Sequence, residues 1–359
     1  MKKRIALLGA TGSIGRQALE IIAANPELEL CALASGAQPL DELAAAHGVE
    51  HTQVGGDLTE LLEETSPDVV LNAVVGFAGV GATLWALERG VTLALANKES
   101  LVAAGDLALD TWRRGGALLL PVDSEHSAIY QCLEGRSPDT IHSLVLTASG
   151  GALRNRPLDE LVSVTVEEAL AHPTWSMGRK ITVDSATLAN KGLELVEAHF
   201  LFGLPYERIE VVVHPTSVVH GIVRLRDGAA LAHLGYPDMR VPISFALTYP
   251  DRKATPVPPL DVAAGLALEF EAPDPERFPL LVLAREAGER GGTFPCAFNA
   301  ANEVAVSAFL EGRIAFTEIA PLVQHALASV DGAPARDLDE LNGVDAQVRA
   351  MTEGRLVTA

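Results

Sequence analysis

The stretch Gly9-Ala10-Thr11-Gly12-Ser13-Ile14-Gly15 follows the apolar run Ile5–Leu8 and opens a helical pattern that extends from Ile14 to Ala24. Glycines between a strand and a helix allow a tight turn and a close backbone approach to a ligand, and the helix N-terminus attracts a pyrophosphate. The spacing GxxGxxG is a variant of the dinucleotide-binding fingerprint. The sequence therefore predicts a dinucleotide site, with a plain glycine-rich turn as the competing interpretation.

The end of the second predicted strand, Leu28–Ala34, bears on the choice of dinucleotide. In NAD-preferring sites, an Asp or Glu at this point binds the ribose hydroxyls. Here the strand is followed by Ser35-Gly36-Ala37-Gln38, and the first carboxylate is Asp41. Ser35 and Gln38 can donate hydrogen bonds to a 2′-phosphate. The sequence favours NADP, by the absence of a carboxylate more than by a dedicated cation.

Apolar strands and helical segments alternate from the N-terminus to Val122. Strand-like runs at Val69–Val75, Thr92–Ala96 and Ala117–Val122 are separated by helical patterns such as Ser100–Arg114. This alternation is typical of a parallel sheet covered on both faces. We predict an α/β protein with an N-terminal Rossmann-like dinucleotide-binding domain over residues 1–122.

Beyond Val122 the pattern changes. Strands and helices are mixed over residues 123–249, which predicts a central α+β catalytic domain, and Ser185–Phe202 is interpreted as one helix. Seven prolines lie between Pro250 and Pro279, so residues 250–279 are predicted to be a linker. Only helical patterns follow, which predicts a C-terminal helical domain over residues 280–359.

Composition excludes several classes of function. The 359 residues carry a formal net charge of -20, which disfavours binding to nucleic acid or to an anionic membrane. No apolar run approaches the roughly 18 residues that a membrane span needs. The three cysteines lie far apart without metal-ligand spacing, so neither a zinc site nor a disulfide framework is predicted. We therefore expect a cytoplasmic protein.

Two carboxylates follow the strand Ala117–Val122, in the order Asp123-Ser124-Glu125-His126. If the extended geometry continues, Asp123 and Glu125 point to the same side, where they can hold a hard cation such as Mg2+ or Mn2+. Acids that cap the N-terminus of the next helix are an equally good interpretation.

A second polar cluster is predicted on the helix that follows residue 185. Asn190 and Glu194 are four residues apart, and Lys191 and Glu194 are three apart, so the three side chains share one face. The stretch 172–193 holds three basic residues and one acid, which favours an anionic ligand in spite of the acidic chain. A solvated, salt-bridged helix face is the competing interpretation.

Together these motifs resemble the 1-deoxy-D-xylulose 5-phosphate reductoisomerase family. The matching stretches occur in order over nearly the whole chain: Gly9–Gly15, Ala96–Ser100, Pro121–His126, Ser149–Gly151, His172–Glu194, His214-Pro215, Ser217–His220 and Asn299–Glu303. The resemblance implies rearrangement of a ketose phosphate to a branched aldehyde phosphate. Reduction by NADPH then gives 2-C-methyl-D-erythritol 4-phosphate for isoprenoid precursor synthesis by the non-mevalonate pathway. It also implies a homodimer whose central domain carries catalysis and dimerisation.

The resemblance assigns roles to positions of this sequence. The ligands of a divalent metal (Mg2+, Mn2+ or Co2+) would be Asp123, Glu125 and Glu194. Contacts to the oxygen-bearing backbone of the substrate would come from Lys98, Ser124 and Glu125. The phosphate pocket would contain Ser149, Ser185, Asn190 and Lys191. A mobile flap would span residues 172–180, with His172 at its start and Trp175 closing over the substrate. NADPH contacts would come from Thr11, Gly12, Ser13, Ile14, Gly36, Ala37, Gln38, Asn97, Glu99 and Gly178.

One departure from the family concerns the residues after Gly36. The family usually has a basic or strongly polar pair there, whereas this chain has Ala37 and Gln38. The difference predicts weaker discrimination between NADPH and NADH than in relatives.

Two other functions compete with the resemblance. A simple NADP-linked dehydrogenase of a small aldehyde or hydroxy acid needs neither metal nor phosphate pocket. A dinucleotide-sensing binding protein or repressor needs no catalytic groups, and the acidic charge argues against its DNA-binding form.

Overall fold

The computed structural model describes residues 2–358 and contains two compact units. Unit 1 comprises Met1–Leu101, Leu107–Tyr130 and Asp238–Leu260, and unit 2 comprises Val102–Asp106, Gln131–Pro237 and Asp261–Ala359. The strands and α-helices in chain order are β1 (Lys3–Leu8), α1 (Ser13–Ala24), β2 (Leu28–Ser35), α2 (Asp41–His47), β3 (His51–Val54), α3 (Thr59–Thr65), β4 (Val69–Asn72), α4 (Val80–Glu88), β5 (Thr92–Leu95), α5 (Lys98–Gly115), β6 (Leu119–Pro121), α6 (Ser124–Leu133), β7 (Ile141–Ala148), α7 (Val166–Leu170), α8 (Arg179–Thr187), α9 (Ala189–Phe202), β8 (Ile209–Val213), β9 (Val219–Leu225), β10 (Ala230–Leu234), α10 (Arg240–Thr248), α11 (Pro279–Arg290), α12 (Phe294–Leu310), α13 (Ile319–Ser329) and α14 (Leu338–Thr358).

Unit 1 is built on a six-stranded sheet with the order β3-β2-β1-β4-β5-β6, and all its pairings are parallel. Strands β1 and β4 are almost wholly buried, as expected for strands covered on both faces. Because the strand order reverses direction beside β1, the carboxyl ends of β1 and β4 define the crevice where such sheets bind ligands. The glycine-rich stretch directly follows β1.

Helix α10 returns to unit 1 from a distant part of the sequence. Its residues Ile243, Ala246 and Leu247 are buried in the same core cluster as the apolar residues of β1, α1 and β4. The ammonium of Lys3 donates hydrogen bonds to the carbonyls of Leu247 (3.0 Å) and Tyr249 (3.1 Å). The predicted boundaries at residues 122, 249 and 279 stay predictions.

Unit 2 contains a four-stranded sheet with the order β10-β9-β7-β8. Strands β7 and β8 are parallel, while β9 pairs antiparallel with β7 and β10. A turn at Asp227-Gly228 joins β9 to β10, and Gly228 has a φ of 91°. Helices α11 to α14 follow, and α12 is the most deeply buried of them, with a nearly continuous run of buried residues from Phe294 to Asn302.

The prediction of one helix over Ser185–Phe202 is wrong. The chain forms α8 and α9 instead, and Leu188 between them adopts a left-handed conformation with a φ of 55°. The side chain of Leu188 is buried in a small cluster with Ala148 and Phe278, which helps offset the cost of this backbone conformation. Ser185 therefore lies on a different helix from Asn190 and Glu194.

Other differences concern the ends of strands. The predicted strand Val69–Val75 ends at Asn72, whose amide donates hydrogen bonds to Gly79 O and Thr83 Oγ1 (both 2.9 Å). The strand predicted at Ala117–Val122 is confined to Leu119–Pro121. Strand β3 and helix α3 did not emerge from the sequence pattern. Within residues 2–358, no helix is both long and apolar enough to cross a bilayer.

Candidate active site

The glycine-rich loop after β1 can be formed only by glycine at two of its positions. Gly9 has a φ of 85°, and a Cβ there would lie 2.3 Å from the carbonyl oxygen of Ala73. A Cβ on Gly15 would lie 2.4 Å from Gly9 O. The backbone N–H groups of Gly9 and Ala10 both donate to Ala34 O, at 2.9 and 2.8 Å, which holds the loop against the end of β2.

The loop leads into an N-terminus suited to an anion. Gly12 is the N-cap of α1, and no side chain caps this helix. Gly12 and Ser13 are exposed, and Thr11 and Ile14 are half-buried. The N–H groups in the first turn of a helix need acceptors, and a pyrophosphate supplies them in dinucleotide sites. The loop therefore fits a dinucleotide.

The end of β2 is an open turn. Gly36, Ala37 and Gln38 are exposed, and a Cβ on Gly36 would meet no protein atom within 4 Å. Ser35 is buried, and its hydroxyl donates to Gln38 O at 2.5 Å. The hydroxyl proton of Ser35 is thus engaged within the turn, and its donation to a 2′-phosphate would require this hydrogen bond to break.

Asn97 and Glu99 lie at the start of α5 and are both buried. Asn97 Oδ1 accepts a hydrogen bond from Ser100 N at 3.1 Å and so caps α5, while its Nδ2 donates to Val74 O (2.7 Å) and Gly76 O (2.8 Å). This amide ties the carboxyl ends of β4 and β5 together. Asn97 thus has a structural function that the sequence did not disclose.

The first buried charged cluster lies in unit 1. Lys98 Nζ is 2.5 Å from Asp123 Oδ2, and both side chains are less than one-tenth exposed. Asp123 Oδ1 accepts hydrogen bonds from the backbone N–H groups of Glu125 (3.1 Å) and His126 (3.3 Å), and lies 3.0 Å from His126 Nδ1. Ser124 Oγ donates to Glu125 Oε2 at 2.6 Å.

Asp123 therefore has the geometry of an N-cap on α6, the interpretation that sequence alone weighed equally with metal binding. The extended geometry does not continue to Glu125, which lies in the first turn of α6. The two acids nevertheless offer hard oxygen donors beside a buried ammonium. A divalent cation requires this kind of donor, so the residues fit a metal.

The second buried charged cluster lies in unit 2, on α9. Asn190 Nδ2 donates to Glu194 Oε1 at 2.5 Å, and Lys191 Nζ forms an ion pair with Glu194 Oε2. The side chains of Lys191 and Glu194 are 4% and 1% exposed, so a solvated helix face is excluded. The shared face inferred from the spacing is confirmed by these contacts. Ser185, on α8, is also buried.

The segment preceding α8 is organised by His172. Its Nδ1 accepts hydrogen bonds from the backbone N–H groups of Thr174 (3.1 Å) and Trp175 (2.9 Å), so the ring proton of the neutral form is on Nε2. Nε2 lies 2.9 Å from Ser149 Oγ, which also accepts from Gly151 N at 3.1 Å. Burial lowers the pKa of His172 below its usual value.

Trp175 and Gly178 complete this segment, and Gly178 is the N-cap of α8. The Trp175 ring lies 6.1 Å from the ring of His220, edge to face. Burial and the neighbouring His233 lower the pKa of His220 to about 4. His220 is thus a neutral buried residue beside the segment.

Three contacts were missed from sequence. His126 follows Asp123 by three residues, so the helical spacing could have disclosed their pairing. The hydrogen bonds from two backbone N–H groups to His172 Nδ1 could not have been predicted from sequence, because they depend on an irregular turn. The hydrogen bond from Asn302 Nδ2 to Asp184 Oδ1 (2.8 Å) spans 118 residues and leaves no local signal.

A parallel doubly wound sheet, a glycine-rich loop and buried acid–lysine pairs define a dinucleotide-dependent oxidoreductase.

Three family models match the chain: 1-deoxy-D-xylulose 5-phosphate reductoisomerase over residues 5–54 and 37–105, the C-terminal domain of 1-deoxy-D-xylulose 5-phosphate reductoisomerase over 119–202, and the DXP reductoisomerase C-terminal domain over 234–351. The reductoisomerase of Thermomicrobium roseum is 50% identical over 348 residues, covering 91% of this chain and 90% of that protein. That of Ralstonia nicotianae is 48% identical over 382 residues, covering 98% and 97%.

Solved structures agree. The reductoisomerase from Zymomonas mobilis in complex with NADPH has a TM-score of 0.90 at 41% identity, covering 99% of each chain. A DOX-P reductoisomerase in complex with NADPH, fosmidomycin and magnesium has a TM-score of 0.91 at 40% identity, covering 99% of this chain and 98% of that one. This chain belongs to the 1-deoxy-D-xylulose 5-phosphate reductoisomerase family. The predicted family, fold class, enzyme class and cofactors are confirmed.

Proposed function

We propose that this enzyme rearranges and reduces 1-deoxy-D-xylulose 5-phosphate to 2-C-methyl-D-erythritol 4-phosphate, with NADPH and a divalent cation. The observation that carries the proposal is the burial of two acid–lysine pairs, Lys98–Asp123 and Lys191–Glu194, at positions that the family resemblance assigns to substrate and metal. Buried charges are unfavourable unless they are paired or bind a ligand. A simple dehydrogenase needs neither a metal nor a phosphate pocket, so buried charges at these positions favour the reductoisomerase.

Asp123, Glu125 and Glu194 are the proposed metal ligands. The N-cap hydrogen bonds to Asp123 Oδ1 orient its carboxylate, while Asn190 and Lys191 orient that of Glu194. When bound, the cation stabilises negative charge on substrate oxygens and NADPH provides the hydride. Lys98 contributes a fixed positive charge to the same oxygens, and Ser124 a hydroxyl.

Ser149, Ser185, Asn190 and Lys191 are the proposed phosphate pocket. Hydroxyl, amide and ammonium groups supply several donors and one fixed charge, which suits a phosphate. His172 keeps Ser149 and the segment with Trp175 in one arrangement through the hydrogen bonds at both ring nitrogens. In this proposal residues 172–180 close over the substrate and exclude water, with Gly178 and α8 as the fixed end.

Thr11, Gly12, Ser13 and Ile14 are the proposed pyrophosphate contacts, and Gly36, Ala37 and Gln38 the contacts at the adenosine ribose. The uncapped N-terminus of α1 and the open turn after β2 support this assignment. Asn97, Glu99 and Gly178 are proposed to line the nicotinamide half of the site.

The test is NADPH oxidation with 1-deoxy-D-xylulose 5-phosphate after removal of metal by a chelator. We expect no turnover without metal, and turnover after addition of Mg2+, Mn2+ or Co2+. Metal-independent oxidation of NADPH would favour the simple dehydrogenase. The product, identified by NMR, must carry the branched carbon skeleton, because reduction without rearrangement leaves an unbranched one.

We also propose that the chain forms a homodimer through unit 2. Strand β10 is the edge of its sheet, and an edge strand invites pairing with another chain. The opposite edge is β8, and the segment 262–270, whose end joins β8 through the Val213–Glu271 bridge, has Val262, Leu266, Leu268 and Phe270 all exposed to 37% or more. An apolar group of this kind indicates a protein interface.

The oligomeric state can be measured by light scattering after gel filtration. We expect the mass of two chains, and the mass of one chain for Leu268→Asp combined with Phe270→Asp. Val162→Asp, at a residue that is 63% exposed elsewhere in unit 2, is the matched control and should leave the dimer intact. A monomeric wild-type protein would refute the proposal.

A cytoplasmic location is proposed as well. Cys31, Cys132 and Cys296 are free thiols in the structure, and burial raises the pKa of each, so that none is set up as a reactive thiolate. Free thiols are typical of a reducing compartment. Cell fractionation with an antibody would test this, and recovery in a membrane or secreted fraction would contradict it.

A further inference from the structure

We propose that Asn302, on helix α12, is a positioning residue for the reaction. Through Asp184, it sets the place of helix α8, which carries Ser185 and forms the fixed end of the segment 172–180. This inference rests on the proposed function, because it concerns the same phosphate pocket. It gives Asn302 a function, whereas the stretch Asn299–Glu303 was known from sequence only as a match to the family.

The contact is a buried hydrogen bond between distant parts of unit 2. Asn302 Nδ2 donates to Asp184 Oδ1 at 2.8 Å, and the side chain of Asp184 is 1% exposed. Asp184 Oδ2 lies 2.9 Å from Lys180 Nζ, one turn earlier on α8. The two carboxylate oxygens of Asp184 thus join α12 to the residue at the end of the proposed flap. An amide that donates to a buried carboxylate is a strong, orienting contact.

Helix α8 in turn determines the position of the loop Ser149-Gly150-Gly151. Gly151, with a φ of 68°, packs so closely on α8 that a Cβ there would lie 2.6 Å from Ser185 O and 2.7 Å from Ala186 Cα. The close contact between Gly151 and α8 therefore fixes the positions of Ser149 and Ser185 relative to each other. Both residues are assigned to the phosphate pocket. A shift of α8 moves both hydroxyls relative to Lys191 on α9.

The same helix offers a matched control. Asn299 lies three residues before Asn302, and both are fully buried. Each has an amide oxygen without a hydrogen-bond partner among the described residues. Asn299 Nδ2, however, donates to Glu303 Oε1 (2.9 Å), and Glu303 pairs with Arg349 on α14 at 2.6 Å. Asn299 therefore stabilises the packing of α12 on α14, through the contacts of Glu303 and Arg349 and not through Asp184.

The experiment compares Asn302→Leu with Asn299→Leu in the full chain, by steady-state kinetics with varied 1-deoxy-D-xylulose 5-phosphate and by thermal unfolding. Each variant removes one buried amide, so we expect similar decreases in Tm. For Asn302→Leu we expect the KM for the sugar phosphate to rise about 10- to 100-fold, the range of a lost hydrogen bond to a charged group. The KM for NADPH should change much less, because Gly178 is its one proposed contact that adjoins α8. For Asn299→Leu we expect less than a threefold change.

A double-mutant cycle separates positioning from general destabilisation. Asp184→Asn should raise the KM for the sugar phosphate, and Asn302→Leu should add little in the Asp184→Asn background, because the shared contact is already altered. Asn299→Leu and Asp184→Asn should combine independently. If Asn302→Leu does not fold because leucine is larger than asparagine, Asn302→Ser, which removes the amide without adding volume, takes its place.

Several results would overturn the inference while leaving the proposed function intact. These are an unchanged KM in Asn302→Leu, equal KM changes in Asn302→Leu and Asn299→Leu, or independent effects of Asn302→Leu and Asp184→Asn. Failure of the wild-type enzyme to turn over 1-deoxy-D-xylulose 5-phosphate would instead refute the proposed function.

Discussion

The glycine loop of unit 1 and the α8–α9 region of unit 2 both face anionic ligands in the proposed function, yet they are built from different groups. The loop presents backbone N–H groups at the start of α1 and contains no cation between Gly9 and Gly15. The α8–α9 region depends on side chains, with Lys180 paired to Asp184 and Lys191 paired to Glu194.

This difference explains how a chain with a net charge of -20 can have phosphate-bearing ligands. Backbone dipoles carry no net charge and are independent of the rest of the composition. The sugar phosphate site instead holds its lysines in buried pairs, where each positive charge is local and weakly screened. Long-range steering should contribute little to either ligand.

The strongest test of the α8–α9 region, which depends on side chains, is Glu194→Gln. Loss of the carboxylate removes a proposed metal ligand and the acceptor for Lys191, so we expect turnover to fall by about 100- to 1,000-fold or more. NADPH affinity, measured by fluorescence titration, should stay within a factor of three. Glu286→Gln, at an exposed residue of the same unit, is the control and should be unchanged. Loss of NADPH binding in Glu194→Gln would mean that its role is misassigned.

The glycine loop, which depends on backbone N–H groups, is tested by Gly15→Ala. The added Cβ would lie 2.4 Å from Gly9 O and 2.6 Å from the backbone of Ala10, so the loop must distort. Strain of about 1–3 kcal/mol predicts a rise of about 10- to 100-fold in the Kd for NADPH. Gly343→Ala on α14, whose Cβ meets no protein atom within 4 Å, should have a much smaller effect. Equal effects would show that the backbone geometry of the loop is not what limits binding.

Binding of the sugar phosphate beside α8 and α9 and binding of NADPH at the glycine loop should also differ in their response to pH. The pKa of His172 is lowered by burial, so the folded enzyme favours the neutral ring. The hydrogen bonds to Nδ1 are fully present above the ordinary pKa of about 6.5 and are lost as the pH falls through the lower folded value. We expect the KM for the sugar phosphate to rise a few-fold in acid below pH 6.5, and the KM for NADPH to stay level.

His172→Asn is the control for this pH effect. Its Oδ1 can accept the amides of Thr174 and Trp175 at every pH, because it does not titrate. The variant should therefore lose the acid-dependent rise in KM, and a rise that persists in it would assign the effect to another group.

The smallest expected effect concerns the choice of cofactor. The turn after β2 contains Ala37 and Gln38, and the Ser35 hydroxyl is engaged by Gln38 O. We expect comparable efficiencies with NADPH and NADH, and a several-fold gain in NADPH preference for Ala37→Lys, the range of one exposed charge. The ratio of kcat/KM for the two cofactors is the measurement. A wild-type preference above about a thousandfold (~4 kcal/mol) would contradict this expectation.

The sequence predicted most of unit 1 because its signals are local. A buried parallel strand is an apolar run, and a glycine fingerprint is contiguous, so β1, α1 and the glycine-rich loop between them could be placed without tertiary information. The spacing of Asn190, Lys191 and Glu194 was equally local. Where the prediction was wrong, at the single helix over Ser185–Phe202, the deciding factor was the burial of Leu188 against Ala148 and Phe278, which are distant in sequence.

By itself, the sequence determined the family, the dinucleotide fingerprint and the candidate acids and lysines, because these are matters of residue type and spacing. Only the tertiary structure decided that Asp123 caps α6, that the Lys191–Glu194 pair is buried and that Asn302 reaches Asp184 across 118 residues. Burial and long-range hydrogen bonds depend on how segments pack, and no short stretch of sequence encodes the partner that a distant segment supplies.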